Sequence, residues 1–132
     1  MANEQTHQPT EPSYQSVNFA EKLSRIHDHW MPRVVAELND NQFKIVKIQG
    51  DFIWHEHADS DEAFVVLEGE LRLDFRDGFV TVGQGEMYVV PKGIEHKPSA
   101  ASEVKMLLIE PRGVVNTGAE TSDRTVQNDV WI

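Results

Sequence analysis

The sequence predicts an all-β domain, folded as a single barrel or sandwich with a short N-terminal helix. Short runs with β-type composition recur at close spacing, turn residues rich in Gly, Asn, Asp and Pro separate them, and no long helical pattern intervenes. Many short strands of this kind are typical of antiparallel barrels and sandwiches. The predicted strands are Arg33–Leu38, Gln42–Gln49, Phe52–His57, Ala63–Leu67, Leu71–Phe75, Phe79–Val82, Met87–Val90 and Val104–Glu110.

The chain before the first strand divides into two segments. Residues 1–16 are polar and predict a disordered tail. Residues 17–32 predict a short helix or arm, because Asn18 can cap a helix and Glu21 follows it at the spacing of a capping box. We expect this helix to end near His29–Trp30.

Residues 33–112 form the predicted barrel domain. Asp77-Gly78 between two alternating runs predicts a hairpin. In the run before it, Leu71 and Leu73 alternate with charged residues, so one face of this strand should be buried. Residues 113–132 form a predicted C-terminal tail. Its apolar end, Val130-Trp131-Ile132, is expected to dock on the barrel or on a neighbouring molecule.

Composition excludes several classes of protein. The 132 residues allow one domain, and the formal net charge of −10 disfavours nucleic acid and anionic membranes as partners. There is no cysteine, which excludes thiolate nucleophiles and Cys-based metal sites. Without an apolar run of membrane-spanning length or a secretory signal pattern, a cytoplasmic protein is expected.

Four residues form a candidate metal site: His55, His57, Glu62 and His96. His55 and His57 lie two apart in a predicted strand, so their side chains should share one face. Glu62 begins the next strand and His96 follows a turn, so a closed barrel can bring all four to one interior point. Three imidazoles and one carboxylate suit a single divalent transition metal, with Fe, Mn, Ni, Cu and Zn all left open.

The spacing of these residues resembles the two motifs of the cupin superfamily, in its small single-domain bacterial form. Gly50-x4-His55-Glu56-His57-x4-Glu62-x6-Gly69 resembles the first motif, and Gly85-x5-Pro91-Lys92-Gly93-x2-His96 resembles the second. The chain departs from the usual pattern in a first gap of four residues instead of five, and in Ala100 where Asn is common. The resemblance implies a double-stranded β-helix, or jelly-roll barrel, that is often dimeric and that binds a metal through these four positions.

The resemblance does not imply one reaction, so two functions stay open. The first is a metal-dependent enzyme of dioxygenase or isomerase type that acts on a small organic molecule. The second is a non-catalytic module that binds or senses a metal or a small molecule. Tyr88 is the candidate for a general acid or for a hydrogen-bond donor near the metal, although packing explains it as well. Residues 33–48 are rich in apolar residues and predict the interface of a homodimer.

Overall fold

The computed structural model of the protein describes residues 14–132, so most of the predicted tail at residues 1–16 lies outside the described residues. The described chain contains one short helix followed by seven strands. These are α1 (Phe19–Leu23), β1 (Arg33–Leu38), β2 (Asn41–Asp51), β3 (Glu62–Glu68), β4 (Glu70–Phe75), β5 (Gly78–Gly83), β6 (Met87–Val90) and β7 (Lys97–Pro111).

All strand pairs are antiparallel, and the predicted all-β jelly-roll fold is confirmed. The strand order is β1-β2-β7-β3-β6, while β4 pairs with both β5 and β7. The 15-residue strand β7 is the central element. It pairs with β2 along one side, and with β3 and then β4 along the other. The sheet therefore closes around one interior space, toward which alternate side chains point.

Apolar side chains fill both faces of this sheet. The interior cluster includes Val46, Val66, Leu73 and Met106, each at most 2% exposed. A second cluster lies on the outer face, where Ile26, from the turn after α1, packs with sheet residues. The confirmed alternation in β4 buries Leu71 and Leu73 and leaves Arg72 between them exposed.

The helix begins where the sequence predicts and ends earlier. The side chain of Asn18 accepts a hydrogen bond from the backbone N–H of Glu21, as expected for its cap. The helix ends at Leu23 and not near His29–Trp30. Arg25 and Ile26 donate their N–H groups three residues back instead of four, which tightens the turn and places Ile26 against the sheet.

The predicted strand over Phe52–His57 is wrong. This segment is a loop whose single sheet-like contact is an isolated antiparallel bridge between His55 and His96. The other predicted strands exist, although β7 begins at Lys97 and not at Val104. Within residues 14–132, no helix is both long enough and apolar enough to cross a membrane.

Residues 113–132 follow β7 and return across the barrel; we call them the C-terminal strap. Trp131 forms a parallel bridge with Val34 of β1, and the N–H of Val34 donates to the carbonyl of Val130 at 2.7 Å. Trp131 is 7% exposed. The apolar terminus therefore docks on the barrel of its own chain, which was one of the two predicted places. The division of the chain into residues 1–16, 17–32, 33–112 and 113–132 remains a prediction.

Candidate metal centre

The structure brings the four predicted metal ligands together. His55 and His57 lie in the loop between β2 and β3, Glu62 is the first residue of β3, and His96 directly precedes β7. One possible ligand atom from each residue lies within 4.8 Å of those from the other three. All four side chains are buried. Residues from three separate parts of the chain therefore converge on one interior point.

Two backbone hydrogen bonds hold the histidine loop in place. The N–H of His55 donates to the carbonyl of His96 at 3.0 Å, and the N–H of His96 donates to the carbonyl of His55 at 2.9 Å. Their ring centroids lie 4.4 Å apart. The histidines converge as predicted, but not because they share one face of a regular strand. The bridge between His55 and His96 brings the two segments together instead.

Hydrogen bonds at Nδ1 orient two of the imidazoles. Nδ1 of His55 lies 3.0 Å from the carbonyl oxygen of Ile53, and Nδ1 of His96 lies 2.9 Å from that of Ile94. A carbonyl only accepts, so Nδ1 carries the proton in both rings and Nε2 keeps its lone pair. This is the arrangement in which outer hydrogen bonds fix the tautomer of a metal-binding histidine.

Three of the buried atoms at this point lack hydrogen-bond partners among the described residues: Nε2 of His57, Oε1 of Glu62 and Nε2 of His96. Oε1 of Glu62 lies 3.3 Å from Nε2 of His57 and 3.5 Å from Nε2 of His96. Buried polar atoms without partners cost free energy, and in native proteins such a cluster is typically satisfied by an ion or a water molecule. The atoms present therefore fit a divalent cation with mixed nitrogen and oxygen ligands.

Burial sets the charge state of the site. It lowers the pKa of His55 to about 4, and the neighbouring His96 adds to this shift. His55 is therefore neutral at pH 7, which is the form that binds metals. Burial alone would raise the pKa of Glu62, but His57 and His96 outweigh it and hold that pKa below its ordinary value. Glu62 is thus a carboxylate at neutral pH.

A pocket of about 620 Å³, including the solvent-filled space at its mouth, opens beside two of these ligands, His55 and Glu62. The barrel supplies a mainly apolar wall, and the C-terminal strap supplies a largely polar one. The barrel wall includes Val46, Ile48, Phe52, Phe64, Met106 and Leu108, and the strap contributes Val114, Asn116, Val126, Gln127, Asn128 and Asp129. The pocket suits a small molecule with an apolar body.

Sequence reasoning missed one charged pair in this pocket. Nζ of Lys44 on β2 lies 2.7 Å from Oε2 of Glu110 on β7, and both side chains are about 95% buried, with 5% and 4% of their surfaces exposed. Burial raises the pKa of Glu110 above its ordinary value, and the nearby Glu62 carboxylate adds to the shift. A signal existed in the sequence, because Lys44 is in phase with the inward-facing Val46 of its strand.

The candidate Tyr88 lies away from the pocket, as does a further histidine, His29. Tyr88 on β6 is partly buried against the interior cluster, with its ring 5.9 Å from that of Phe75, and it is not among the residues that line the pocket. His29 lies in the arm after α1, where its Nε2 is 2.8 Å from a carboxylate oxygen of Glu103. The site described above therefore depends on the four converging residues and the pocket beside them.

Comparison with known proteins agrees with this geometry. The sequence profile of the family described as "Cupin domain" matches residues 43–110. A "cupin-2 domain containing protein" from Shewanella frigidimarina is 58% identical, with a TM-score of 0.72; the match covers 73% of this chain and 94% of that one. Protein NMB1881 from Neisseria meningitidis is 36% identical, with a TM-score of 0.68; the match covers 74% and 99% of the two chains.

A more distant relative carries an activity in its name. "Putative dioxygenase SSO1533" from Saccharolobus solfataricus is 26% identical over 96 residues, which are 70% of this chain and 25% of the relative. This chain therefore spans only about a quarter of that protein. The matched profile runs from β2 to β7 and includes the three candidate histidines and Glu62. Fold, motif spacing and profile agree, and the chain belongs to the cupin family.

Proposed function

We propose that this cupin binds one divalent transition metal through His55, His57, Glu62 and His96, with Fe, Mn, Ni, Cu and Zn as the candidates. The observation that carries the proposal is the cluster of buried ligand atoms without hydrogen-bond partners, described above. A cation at their centre would satisfy these atoms together, whereas removing the cation would leave them buried without partners.

We further propose that the bound metal serves an enzyme that acts on a small organic molecule, by dioxygenase or isomerase chemistry. A bound metal would supply Lewis acidity, and a redox-active one would also support chemistry with O2. The protein contributes a mainly apolar pocket that reaches His55 and Glu62, and hydrogen bonds at His55 and His96 that hold their rings in one orientation. The name of the Saccharolobus relative supports the dioxygenase class.

Turnover by metal-loaded protein tests the enzyme proposal. Protein reconstituted with Fe2+ is incubated in air with a panel of small diketones, phenols and hydroxyketones, beside the His96→Ala variant. Product formation by the wild type that is abolished in the variant is the expected result. Isomerisation is followed with the same panel under nitrogen, with Zn2+ or Mn2+ in place of iron.

The second candidate function is a non-catalytic module that binds or senses a metal or a small molecule, and the pocket supports it equally. Ligand binding without turnover by any metal-loaded form, unchanged in His96→Ala, would favour this function over catalysis. A homodimer in the cytoplasm remains our prediction for both functions, since neither assembly nor location follows from the site.

A further inference from the structure

We propose that Lys44 and Glu110 form a subsite that binds a hydroxyl or enol group of the ligand, beside the metal centre. The inference rests on the proposed function, because the metal binds another oxygen of the same ligand. It names the ligand class as hydroxy-carbonyl compounds with an apolar body, such as α-hydroxy acids or hydroxyketones.

The position of the pair is the first argument. β2 and β7 are adjacent strands, and the pair spans them beside the pocket that Glu62 also lines. Lys44, Glu110, His55 and Glu62 all line the same pocket. They are four of the charged or metal-binding side chains that a ligand could meet there. A ligand in contact with the proposed metal is therefore within reach of the Lys44–Glu110 pair.

The energetics of the pair are the second argument. Moving two charges out of water costs free energy that their mutual attraction only partly offsets, so a buried pair contributes little to stability. The neighbouring inward positions on the two strands carry the apolar residues Val46 and Leu108. Apolar residues in place of Lys44 and Glu110 would give a protein at least as stable as one with the ion pair. The presence of a lysine and a glutamate at these buried positions is better explained by binding than by folding.

The pair also has hydrogen-bond donors and an acceptor that no group of the described chain uses. The Lys44 ammonium has three N–H donors, one of which Oε2 of Glu110 accepts at 2.7 Å. Oε1 of Glu110 is buried and has no hydrogen-bond partner within residues 14–132. The pair thus combines donors with an unused acceptor in a pocket whose other barrel residues are mainly apolar.

A hydroxyl or enol group complements this combination. Its oxygen accepts a hydrogen bond from the ammonium of Lys44, and its hydrogen is donated to Oε1 of Glu110. An ether oxygen cannot donate and would leave Oε1 without a partner. A carboxylate placed at the pair likewise has no hydrogen to donate to Oε1 of Glu110. The apolar barrel wall then accommodates the body of the ligand.

The test compares mandelate with its O-methyl ether, which keeps the carboxylate, the phenyl ring and the α-oxygen but loses the hydroxyl hydrogen. Protein is loaded with Zn2+, its zinc content is measured, and both probes are titrated by isothermal calorimetry. The wild type should bind mandelate about 10- to 150-fold more tightly than the ether, the range expected for a hydrogen bond to a charged group.

Two double variants locate this preference. Lys44→Met/Glu110→Leu removes the pair without changing net charge and should bind both probes with affinities within about threefold of each other. Arg33→Met/Asp28→Leu is the matched control, since it removes an ion pair of 2.7 Å that does not line the pocket, and it should keep the wild-type preference. If the first variant does not fold, Glu110→Gln replaces it and should weaken the preference.

The outcomes separate the two proposals. No zinc in the wild type overturns the proposed metal function. Full zinc content with no preference for mandelate over its ether, or with no binding of either probe, overturns the subsite alone. A preference that persists in zinc-loaded Lys44→Met/Glu110→Leu also overturns the subsite, because the hydroxyl group is then recognised elsewhere.

Discussion

Substitution of Gly118 tests how the C-terminal strap is held against the candidate metal centre. Gly118 has a φ of 64°, and a Cβ atom there would overlap the carbonyl oxygen of Glu56. Glu56 lies between His55 and His57, so the strap packs on the backbone that carries two of the four candidate ligands. Gly118→Ala should displace the strap, the loop or both.

The magnitude follows from comparison with a second glycine of the strap. Gly113 also has a positive φ, 91°, but a Cβ atom there would meet nothing within 4 Å. Gly113→Ala should therefore lower the free energy of unfolding by only the backbone cost, about 1–2 kcal/mol. Gly118→Ala adds steric overlap of about 1–3 kcal/mol, for a total of about 2–5 kcal/mol.

Two assays measure this difference. Urea unfolding followed by circular dichroism gives the free energy of each variant at pH 7. Limited trypsin digestion reports the strap itself, because Arg124 lies within it, half-buried and hydrogen-bonded to the carbonyl of Asp51, and detachment should make it easier to cleave. Faster cleavage after Arg124 is expected in Gly118→Ala than in Gly113→Ala. Equal stability losses and equal cleavage in the two variants would refute the packing of the strap on Glu56.

Three further predictions concern pH, packing and assembly. Folding lowers the pKa of His55 from 6.5 to about 4, so the unfolded chain binds more protons between these values and stability falls as pH falls. Metal-free protein should lose about 2 kcal/mol more than His55→Asn between pH 7 and pH 5 in urea titrations, and parallel losses would contradict this. Leu73→Ala should cost about 2–5 kcal/mol and Met87→Ala less than about 0.5 kcal/mol, since the two residues are 0% and 54% exposed; equal costs would contradict the described core. Light scattering at micromolar concentration should give twice the chain mass of 15.0 kDa, and a monomer mass would exclude the predicted homodimer.

Local sequence patterns were sufficient to predict strands such as β1 and β4, because their own residues favour a strand. β1 was predicted to the residue, because a β-type run meets the turn Asn39-Asp40. The interior positions of β4 also followed from alternation. Phe52–His57 has similar composition, but it has no continuous partner strand, and scattered backbone hydrogen bonds to residues 93–98, including the bridge to His96, hold it. Composition alone cannot report such a contact between distant segments.

In the candidate site, too, local motifs could be predicted from the sequence and contacts between distant segments could not. The four ligands could be predicted, because their spacing carries the cupin motif on a short stretch of chain. Lys44 and Glu110 could not be paired in advance, since 66 positions separate them and only the register of β2 with β7 joins them. The polar pocket wall was also missed, because the strap looked like a tail and its docking depends on a bridge between Trp131 and Val34.

Elemental analysis by plasma mass spectrometry tests the central claim most directly. Untagged protein is purified without added metal or chelator, beside the double variant His55→Ala/His57→Ala. We predict near-stoichiometric iron, manganese, nickel, copper or zinc in the wild type and its loss in the variant. A wild type without metal, whose melting temperature does not rise when these metals are added back, would contradict the claim that the four residues form a metal centre.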